Sequence, residues 1–265
     1  MQYIQLTHDH YNVEQNFLPF ALTDTFTQFA GEYNQCFFHT WSTEPLVILG
    51  MRDQQLPQFN QRIAYLHNEN YQTIIRNSGG LAVVSNPGII NVTLAFPKQY
   101  IASIEDGYQK MLHLLQNSFP DLSIEPGEIS DSYCPGTYDL SVNHQKIAGL
   151  AQRRVANGVA VMMYLSVNGN QELRGKLIQT FYQLTGSKKA TLTDYPNVNP
   201  KSMTTLSELL KQEQSIESTI EHLTSQLAIS QTIKASQWIQ RNHLETLLNQ
   251  RFQSMRQRNL SLEEE

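Results

Sequence analysis

The chain has 265 residues, a formal net charge of −5 and a hydrophobic fraction of 40%, which suits one sizeable globular domain. No apolar run approaches the ~18 residues that span a bilayer, and the mild acidity argues against nucleic acid as the main partner. The first residues, MQYIQLTHDHYN, have no basic stretch followed by an apolar one, so we expect no signal peptide and a cytoplasmic location. The two cysteines, Cys36 and Cys134, are too few for a disulfide framework or a zinc site, and we expect no metal or other cofactor.

The N-terminal part of the chain alternates irregularly between helical and strand patterns. Segment 13–30 has apolar side chains near helical spacing and predicts a helix that Pro19 interrupts or delays. Segment 56–70 predicts a second helix. The strands expected here are short apolar runs bounded by turn residues, at 36–41, 46–50, 71–77, 81–85 and 89–96.

Segment 103–119 gives the clearest helical signal, because Ser103 and Asp106 form a capping box and a proline follows the apolar stripe. A meander of three strands comes next, with a turn at Asn157-Gly158 between the last two. Its strands are expected at 137–142, 146–155 and 159–167. The remaining helices are expected at 171–185, 205–227 and 231–258, with an exposed connection at 186–202.

These elements predict an α+β fold with a mixed, largely antiparallel sheet and flanking helices. The reason is that strands adjacent in sequence are joined by tight turns rather than by crossover helices. No linker separates a second domain. We therefore expect one main domain over 1–235, with 236–265 as a C-terminal helical extension of the same domain.

Cys134 lies in a Tyr-Cys-Pro-Gly turn, which favours an exposed thiol over the alternative, a buried and inert cysteine. Lys146 begins the strand after the one that follows this turn, so its ammonium can come back alongside the sulfur. A nearby ammonium stabilises a thiolate, the nucleophilic form of cysteine in acyl transfer. The alternative for Lys146 is an ordinary lysine of a surface turn. Cys36 lies in an apolar strand and is expected in the core.

Two segments rich in small residues favour a close approach of a ligand to the backbone. One strand runs into Ser78, Gly79 and Gly80, and glycines there permit positive φ angles. A plain strand-ending turn is the alternative. The segment 148–152, which contains Gly149, places small residues within a strand and weakens it unless something packs closely against it. A thin acyl chain is one such partner, and ordinary tight packing is the other.

Three motifs in order give the sequence a family resemblance. RNSGGLAVVSNPGIIN at 76–91 resembles the R-x-S-G-G-G-A-V signature of the lipoate/biotin protein ligase family, and KIAGLAQRR at 146–154 resembles its K-x-x-G-x-A strand. SYCPGTYDLS at 132–141, with PFALTDTF and PLVILGMRD further upstream, is most similar to one branch, the octanoyl-[glycine cleavage H protein]:protein N-octanoyltransferases. The resemblance covers residues 18–235.

The resemblance implies the α+β catalytic fold of biotin protein ligase and class II aminoacyl-tRNA synthetases. It also implies that Cys134 carries the acyl group as a thioester and that Lys146 sits beside it. The residues implied to line the acyl pocket are Arg76, Ser78, Gly79, Gly80, Leu81, Tyr133 and Gly149. The implied reaction moves an octanoyl or lipoyl group from a lysine of octanoylated glycine cleavage H protein to lysines of lipoyl domains of 2-oxoacid dehydrogenases.

Two departures from the ligase signature argue against ATP-dependent activation: Leu81 stands where the ligases have a third glycine, and Ser85 and Asn86 replace a Tyr-His-Asp region. Three alternatives remain open. They are an octanoyltransferase that uses octanoyl-acyl carrier protein, an ATP-dependent lipoate–protein ligase and a non-catalytic protein that binds lipoyl domains. Because both protein partners are implied to be acidic, we expect a local basic patch on this chain. Its candidates are Arg153, Arg154, Lys188 and Lys189, with solvated surface as the alternative.

Overall fold

A computed structural model describes residues 1–184 and 195–263 of the chain. The strands in these ranges are β1 (Gln2–Tyr11), β2 (Cys36–Thr43), β3 (Leu46–Leu49), β4 (Gln72–Ile75), β5 (Val83–Ser85), β6 (Ile89–Pro97), β7 (Glu125–Pro126), β8 (Leu140–Val142), β9 (Gln145–Val155), β10 (Gly158–Ser166) and β11 (Ala228–Ile233). The helices are α1 (Leu18–Tyr33), α2 (Phe59–Asn68), α3 (Ile104–Ser118), α4 (Gln171–Gln183), α5 (Leu206–Leu210), α6 (Ile216–Ser225), α7 (Ala235–Arg241) and α8 (Glu245–Glu263).

An eight-stranded sheet forms the centre of the fold, in the order β11-β1-β2-β6-β10-β9-β8-β7. β1 pairs in parallel with β2 and β11, and all other neighbours in this sheet are antiparallel. A smaller sheet has the order β4-β3-β5, with β4 parallel and β5 antiparallel to β3. The predicted class, α+β with a mixed and largely antiparallel sheet, is confirmed.

The large sheet separates two hydrophobic cores, as the alternation along β2 illustrates. Phe37 packs in the core that holds α1, α7 and the small sheet, whereas its neighbour Phe38 packs in the core that holds α3. Successive side chains of a strand point to opposite faces, so one apolar run supplies both cores. This explains why β2 is buried along its whole length.

The meander predicted from the sequence is present as β8, β9 and β10. Asn143 and His144 join β8 to β9 with φ angles of 51° and 59°, and a two-residue turn with two positive φ angles matches the twist of a hairpin. The next turn lies at 156–157, one residue before the predicted Asn157-Gly158, and Gly158 begins β10. Gly158 lies so close to α1 that an added Cβ would sit 1.7 Å from the carbonyl oxygen of Thr27. The hairpin and α1 therefore pack with backbones in contact.

Helix α3 begins as predicted, because the Ser103 hydroxyl accepts a hydrogen bond from the Asp106 N–H at 3.1 Å and completes a capping box. The helix predicted at 13–30 with an interruption or delay at Pro19 begins only at Leu18, and Pro19 does not interrupt it. It lies in the first turn of α1, where proline fits because that N–H has no intrahelical acceptor.

Three other boundaries differ from the prediction. Residues 2–11 form β1, for which no element was predicted. The helix predicted at 231–258 was wrong at its start, because β11 runs to Ile233 before α7 and α8 begin. The helix predicted at 205–227 is divided into α5 and α6. Of the predicted connection 186–202, residues 186–194 lie outside the described residues.

The C-terminal helix α8 is tied to the small sheet. Asn259 is buried, accepts a hydrogen bond from the N–H of Ile75 at 2.6 Å and donates one to the carbonyl oxygen of Ile75 at 3.1 Å. It thereby occupies the outer edge of β4 directly before Arg76. None of the helices in the described ranges has the length and apolar character that a membrane span requires.

Candidate active site

A cavity of about 280 Å³ lies between the large sheet and the small sheet. Its apolar wall is built by both sheets and by α1 and α3, from Phe20, Trp41, Ile48, Val83, Val92, Tyr108, Leu150, Met162 and Met163. Its polar part contains Arg76, Ser78, Cys134, Asp139 and Lys146. The volume is near the low end of small-molecule sites, which span roughly 300–1,000 Å³, so the cavity suits a thin apolar chain.

Cys134 lies on the loop between β7 and β8, where it lines the cavity and is half-buried. Its φ angle is +47°, a left-handed conformation that costs a non-glycine residue about 1–2 kcal/mol. Strained backbone of this kind concentrates at functional sites. The loop thus presents the thiol to the cavity at an energetic cost, which a purely structural cysteine would not require.

Two donors contact the sulfur of Cys134. The N–H of Leu81 lies 3.1 Å from Sγ, and Nη2 of Arg76 lies 3.3 Å from it. Both donors come from the segment after β4, so the small sheet supplies the sulfur's surroundings while the large sheet carries the sulfur. The sequence resemblance assigned Arg76 to the pocket lining and did not indicate this contact.

Lys146 is buried and binds the backbone around Cys134. Its ammonium donates to the carbonyl oxygens of Tyr133 and Cys134, both at 2.9 Å, and to the hydroxyl of Ser132 at 3.1 Å. The prediction that Lys146 returns to the Cys134 turn therefore agrees with the geometry. Within the described residues, however, the cation hydrogen-bonded to Sγ is Arg76 and not Lys146.

Asp139 is the residue that the sequence analysis missed. Its Oδ1 lies 2.9 Å from Nζ of Lys146, and the two side chains are 2% and 3% exposed. Burial raises the pKa of Asp139, while the ion pair with Lys146 and hydrogen bonds from the Gly136 and Ile129 N–H groups oppose the rise. A buried lysine needs a compensating charge. That requirement is the signal that could have drawn attention to the aspartate seven residues before Lys146.

Gly80 makes room for the arginine. Its φ angle is +105°, and an added Cβ would lie 2.1 Å from Nη2 of Arg76 and 3.0 Å from Sγ of Cys134. At Gly79, by contrast, an added Cβ would meet nothing within 4 Å. Of the two glycines in the predicted turn, Gly80 is therefore required for steric reasons and Gly79 is not.

An ion pair between helix α1 and β9 holds the start of the glycine turn. Arg153 binds both carboxylate oxygens of Asp24, at 2.5 and 2.8 Å, and donates to the carbonyl oxygen of Asn77 at 2.6 Å. Asn77 donates in turn to Asp24 at 3.1 Å. Arg153 is therefore engaged within the chain and is not a free member of the predicted basic patch. Arg154 is exposed, whereas Lys188 and Lys189 lie outside the described residues.

A second polar group supports the other end of the glycine turn. Tyr182 accepts a hydrogen bond from the Ala82 N–H at 3.0 Å and donates one to Asp53 at 2.9 Å. Asp53 also accepts from the Gly50 N–H at 2.8 Å. Burial raises the pKa of Asp53 to about 6, while these hydrogen bonds lower it.

Most of the predicted site residues meet at the cavity. Those in its lining are Arg76, Ser78, Gly79, Gly80, Cys134, Lys146 and Gly149. Leu81 contributes its backbone N–H rather than its side chain. Tyr133 was predicted in the lining but is not part of it. Its side chain is fully buried, and its phenol hydrogen-bonds Tyr164 and Gln171, which fixes the loop next to Cys134. No metal-binding group of three or more His, Cys, Asp or Glu occurs in 1–184 and 195–263.

Comparisons with known proteins place these features in a family. The model of the lipoyl protein ligase A/B catalytic domain matches residues 15–228. A lipoyl-[GcvH]:protein N-lipoyltransferase of Listeria monocytogenes is 43% identical over 190 residues, 71% of this chain and 68% of the relative. An octanoyl-[GcvH]:protein N-octanoyltransferase of Macrococcus caseolyticus is 37% identical over 257 residues, 96% of this chain and 93% of the relative.

A crystal structure of lipoate-protein ligase A bound with ATP shares the fold. It has a TM-score of 0.71 and 15% sequence identity, and the match covers 96% of this chain and 95% of that one. The range that the family model matches includes Arg76, Cys134 and Lys146. The chain belongs to the lipoyl protein ligase A/B catalytic domain family.

Proposed function

We propose that this chain is an acyltransferase that moves an octanoyl or lipoyl group between lysines of two proteins, with Cys134 as the covalent carrier. The donor is the acylated glycine cleavage H protein, and the acceptors are lipoyl domains of 2-oxoacid dehydrogenases. The observation that carries the proposal is a strained, half-buried thiol with two donors on its sulfur, in the wall of an apolar cavity. Relatives that are 37–43% identical and named as GcvH-dependent transferases support the donor.

The cavity supplies binding energy for the acyl chain. Its wall consists of aromatic, aliphatic and methionine side chains, with Met162 and Met163 from β10 and Leu150 from β9. Each buried methylene contributes ~0.8 kcal/mol, so an eight-carbon chain gains roughly 5 kcal/mol before the cost of ordering it. The carbonyl carbon that ends such a chain then lies next to Cys134, at the polar part of the lining.

The first half of the reaction transfers the acyl group from the donor lysine to the enzyme. The Cys134 sulfur attacks the amide carbon, a carbon–sulfur bond forms, and the bond from carbon to the lysine nitrogen breaks. The proton that the thiol gives up ends on the departing lysine nitrogen. A covalent intermediate divides one difficult amide exchange into two easier steps.

The second half reverses these steps with a different amine. The neutral lysine of a lipoyl domain attacks the thioester, its nitrogen acquires the acyl carbon, and the carbon–sulfur bond breaks. A proton from the attacking nitrogen returns to the Cys134 sulfur. One lysine amide replaces another, so the exchange needs no ATP, in agreement with Leu81 in place of the third glycine of the ligase signature.

The proposal is tested by intact-mass measurement of the enzyme after incubation with separate donors. Octanoylated and lipoylated glycine cleavage H protein should each add one acyl mass to the wild type and none to Cys134→Ala. Addition of a lipoyl domain should then discharge the adduct and acylate that domain. Parallel incubations contain octanoyl-acyl carrier protein, or free octanoate with ATP.

The outcomes separate the candidate functions. If only octanoyl-acyl carrier protein acylates the enzyme, the chain is an acyl carrier protein-dependent octanoyltransferase instead. If acylation of a lipoyl domain requires ATP and free octanoate, the chain is a lipoate–protein ligase instead. Tight binding of lipoyl domains without any adduct or transfer would make the chain a binding protein. Transfer that persists in Cys134→Ala would remove the thioester from the mechanism.

A further inference from the structure

We propose that Arg76, together with the Leu81 N–H, stabilises the Cys134 sulfur as a thiolate, and that Lys146 instead positions the backbone of the Cys134 loop. The inference rests on the proposed function for its role in turnover. Its test measures the reactivity of the thiol and requires no acyl donor. The two ideas can therefore fail separately.

The contacts of the sulfur are those of an anion. In the described part of the chain, both hydrogen-bond partners of Sγ are donors: the Arg76 guanidinium at 3.3 Å and the Leu81 N–H at 3.1 Å. A thiolate is a strong acceptor for both bonds, whereas the sulfur of a neutral thiol is only a weak acceptor. Hydrogen bonds from a cation to an anion are the stronger kind.

The ammonium of Lys146 is fully occupied by acceptors other than the sulfur. An ammonium has three hydrogens, and Nζ lies within hydrogen-bond distance of four acceptors: Ser132 Oγ, the Tyr133 and Cys134 carbonyl oxygens and Asp139 Oδ1. The Asp139 carboxylate neutralises it at 2.9 Å. The pair therefore fixes the loop geometry and leaves no hydrogen of Lys146 for the sulfur or for the leaving amine.

The guanidinium of Arg76 is engaged differently. Nη2 donates to Sγ and, at 3.0 Å, to the carbonyl oxygen of Leu81. Nε is buried and has no hydrogen-bond partner among residues 1–184 and 195–263. The charge of Arg76 lowers the pKa of Asp53, but the hydrogen bonds that the Asp53 oxygens accept come from Tyr182 and the Gly50 N–H. The positive charge of Arg76 is consequently directed at the sulfur.

The fold reserves space for this contact. Gly80 has no side chain where a Cβ would lie 2.1 Å from Nη2. The Arg76 Nη2 also binds the carbonyl of Leu81, the residue whose N–H binds the sulfur. One side chain and one peptide thus form a single two-donor cradle for Sγ.

The cradle has a role in both halves of the reaction. It favours the thiolate that attacks the donor amide, while the thiol proton passes to the departing lysine nitrogen. In the second half it receives the sulfur when the carbon–sulfur bond breaks, before a proton from the acceptor lysine returns to it. Loss of the cradle should therefore slow both charging and discharge.

The test measures the rate at which iodoacetamide alkylates Cys134 as a function of pH. Mass spectrometry of the Cys134 peptide monitors the reaction, so that any alkylation of the buried Cys36 is counted separately. The ionisable groups that line the cavity with Cys134 or interact with its charge are Lys146, Asp139, Tyr108, Tyr164 and Tyr182, and Asp53 accepts a hydrogen bond from Tyr182. Arg76→Gln should raise the midpoint of the profile by about one pH unit or more, a tenfold loss of thiolate at pH below the midpoint. Arg76→Lys should recover part of that shift, because it keeps the charge without the planar fork.

Two further variants distinguish the cradle from a general loss of structure. Gly80→Ala should shift the midpoint in the same direction by displacing the guanidinium, and Gly79→Ala, its matched control, should not. An unchanged midpoint in both Arg76→Gln and Gly80→Ala overturns the proposal. So does a shift in Gly79→Ala as large as that in Gly80→Ala.

Discussion

Replacement of Asp139 by asparagine should both destabilise the protein and abolish acyl transfer. The substitution leaves the shape of the side chain unchanged but places an amide opposite the Lys146 ammonium, at an Nζ–Oδ1 distance of 2.9 Å. If the amide oxygen keeps the N–H groups of Gly136 and Ile129, the amide nitrogen faces the ammonium. Lys146 then remains buried with its charge uncompensated.

The magnitude follows from the burial of the pair. With side chains 2% and 3% exposed, removal of one partner falls in the class that costs about 3–5 kcal/mol. For a domain above 150 residues this corresponds to a fall in Tm of roughly 6–20 °C, at ~2–4 °C per kcal/mol. Activity should fall further, because displacement of the Cys134 loop by ~1 Å can cost about a hundredfold in rate.

Urea denaturation gives the free energy of unfolding, and single-turnover acyl transfer gives the rate. The matched control is Lys146→Met/Asp139→Leu, because apolar replacement of a whole buried pair is often close to neutral. It should recover at least half of the stability lost in Asp139→Asn while remaining inactive, since the Tyr133 and Cys134 carbonyls have lost their donor. A loss below ~1 kcal/mol in Asp139→Asn, or additive single effects in the double variant, would refute the reasoning.

Three further predictions concern the supports of the site. Asn259→Leu leaves the buried N–H and C=O of Ile75, the last residue of β4, without their partner. It should lower the free energy of unfolding in urea titrations by about 2–4 kcal/mol. A change below ~0.5 kcal/mol, the size of an ordinary surface effect, would mean that α8 does not stabilise this edge. Because burial raises the pKa of Asp53 to about 6 from an unfolded value near ~3.9, its contribution to stability is fully present below pH ~4 and is lost as pH rises through about 6. Asp53→Asn should therefore gain roughly 3 kcal/mol relative to wild type between pH 4 and pH 7, and parallel stability profiles would contradict the assignment. Gly50→Ala puts a Cβ 1.9 Å from the carbonyl oxygen of Gly80 and should abolish transfer, whereas Gly149→Ala, whose Cβ meets its neighbours at 3.5 Å or more, should fold with unchanged Tm.

Local signals in the sequence were sufficient for much of the fold. The capping box of Ser103 and Asp106, the Asn157-Gly158 turn and the apolar runs of the meander each act over a few residues. Their elements consequently appear close to the predicted bounds. β11 gave no such signal, because it is an edge strand whose side chains are mostly exposed, and it pairs with β1 across more than 200 residues. Pairing at that separation leaves no periodic pattern.

The candidate site divides along the same line. Cys134 and Lys146 are twelve residues apart in a turn and a meander, so local geometry predicted that they meet. The contact between Arg76 and Cys134 spans 58 residues and joins two sheets. It depends on a side-chain direction that composition and spacing do not specify. Asp139 was missed because its role appears only once the burial of Lys146 is known.

The proposed activation of the sulfur therefore depends on how the two sheets fit together. The large sheet carries Cys134 and the buried pair that shapes its loop, while the small sheet carries the donors that contact the sulfur. Neither sheet alone supplies both the sulfur and its donors. The ion pair of Asp24 and Arg153 binds Asn77, directly after Arg76, and so joins α1 and the large sheet to the glycine turn. The cavity proposed to hold the acyl chain lies in the same interface, so the packing that brings the donors to the sulfur also forms the wall of that cavity.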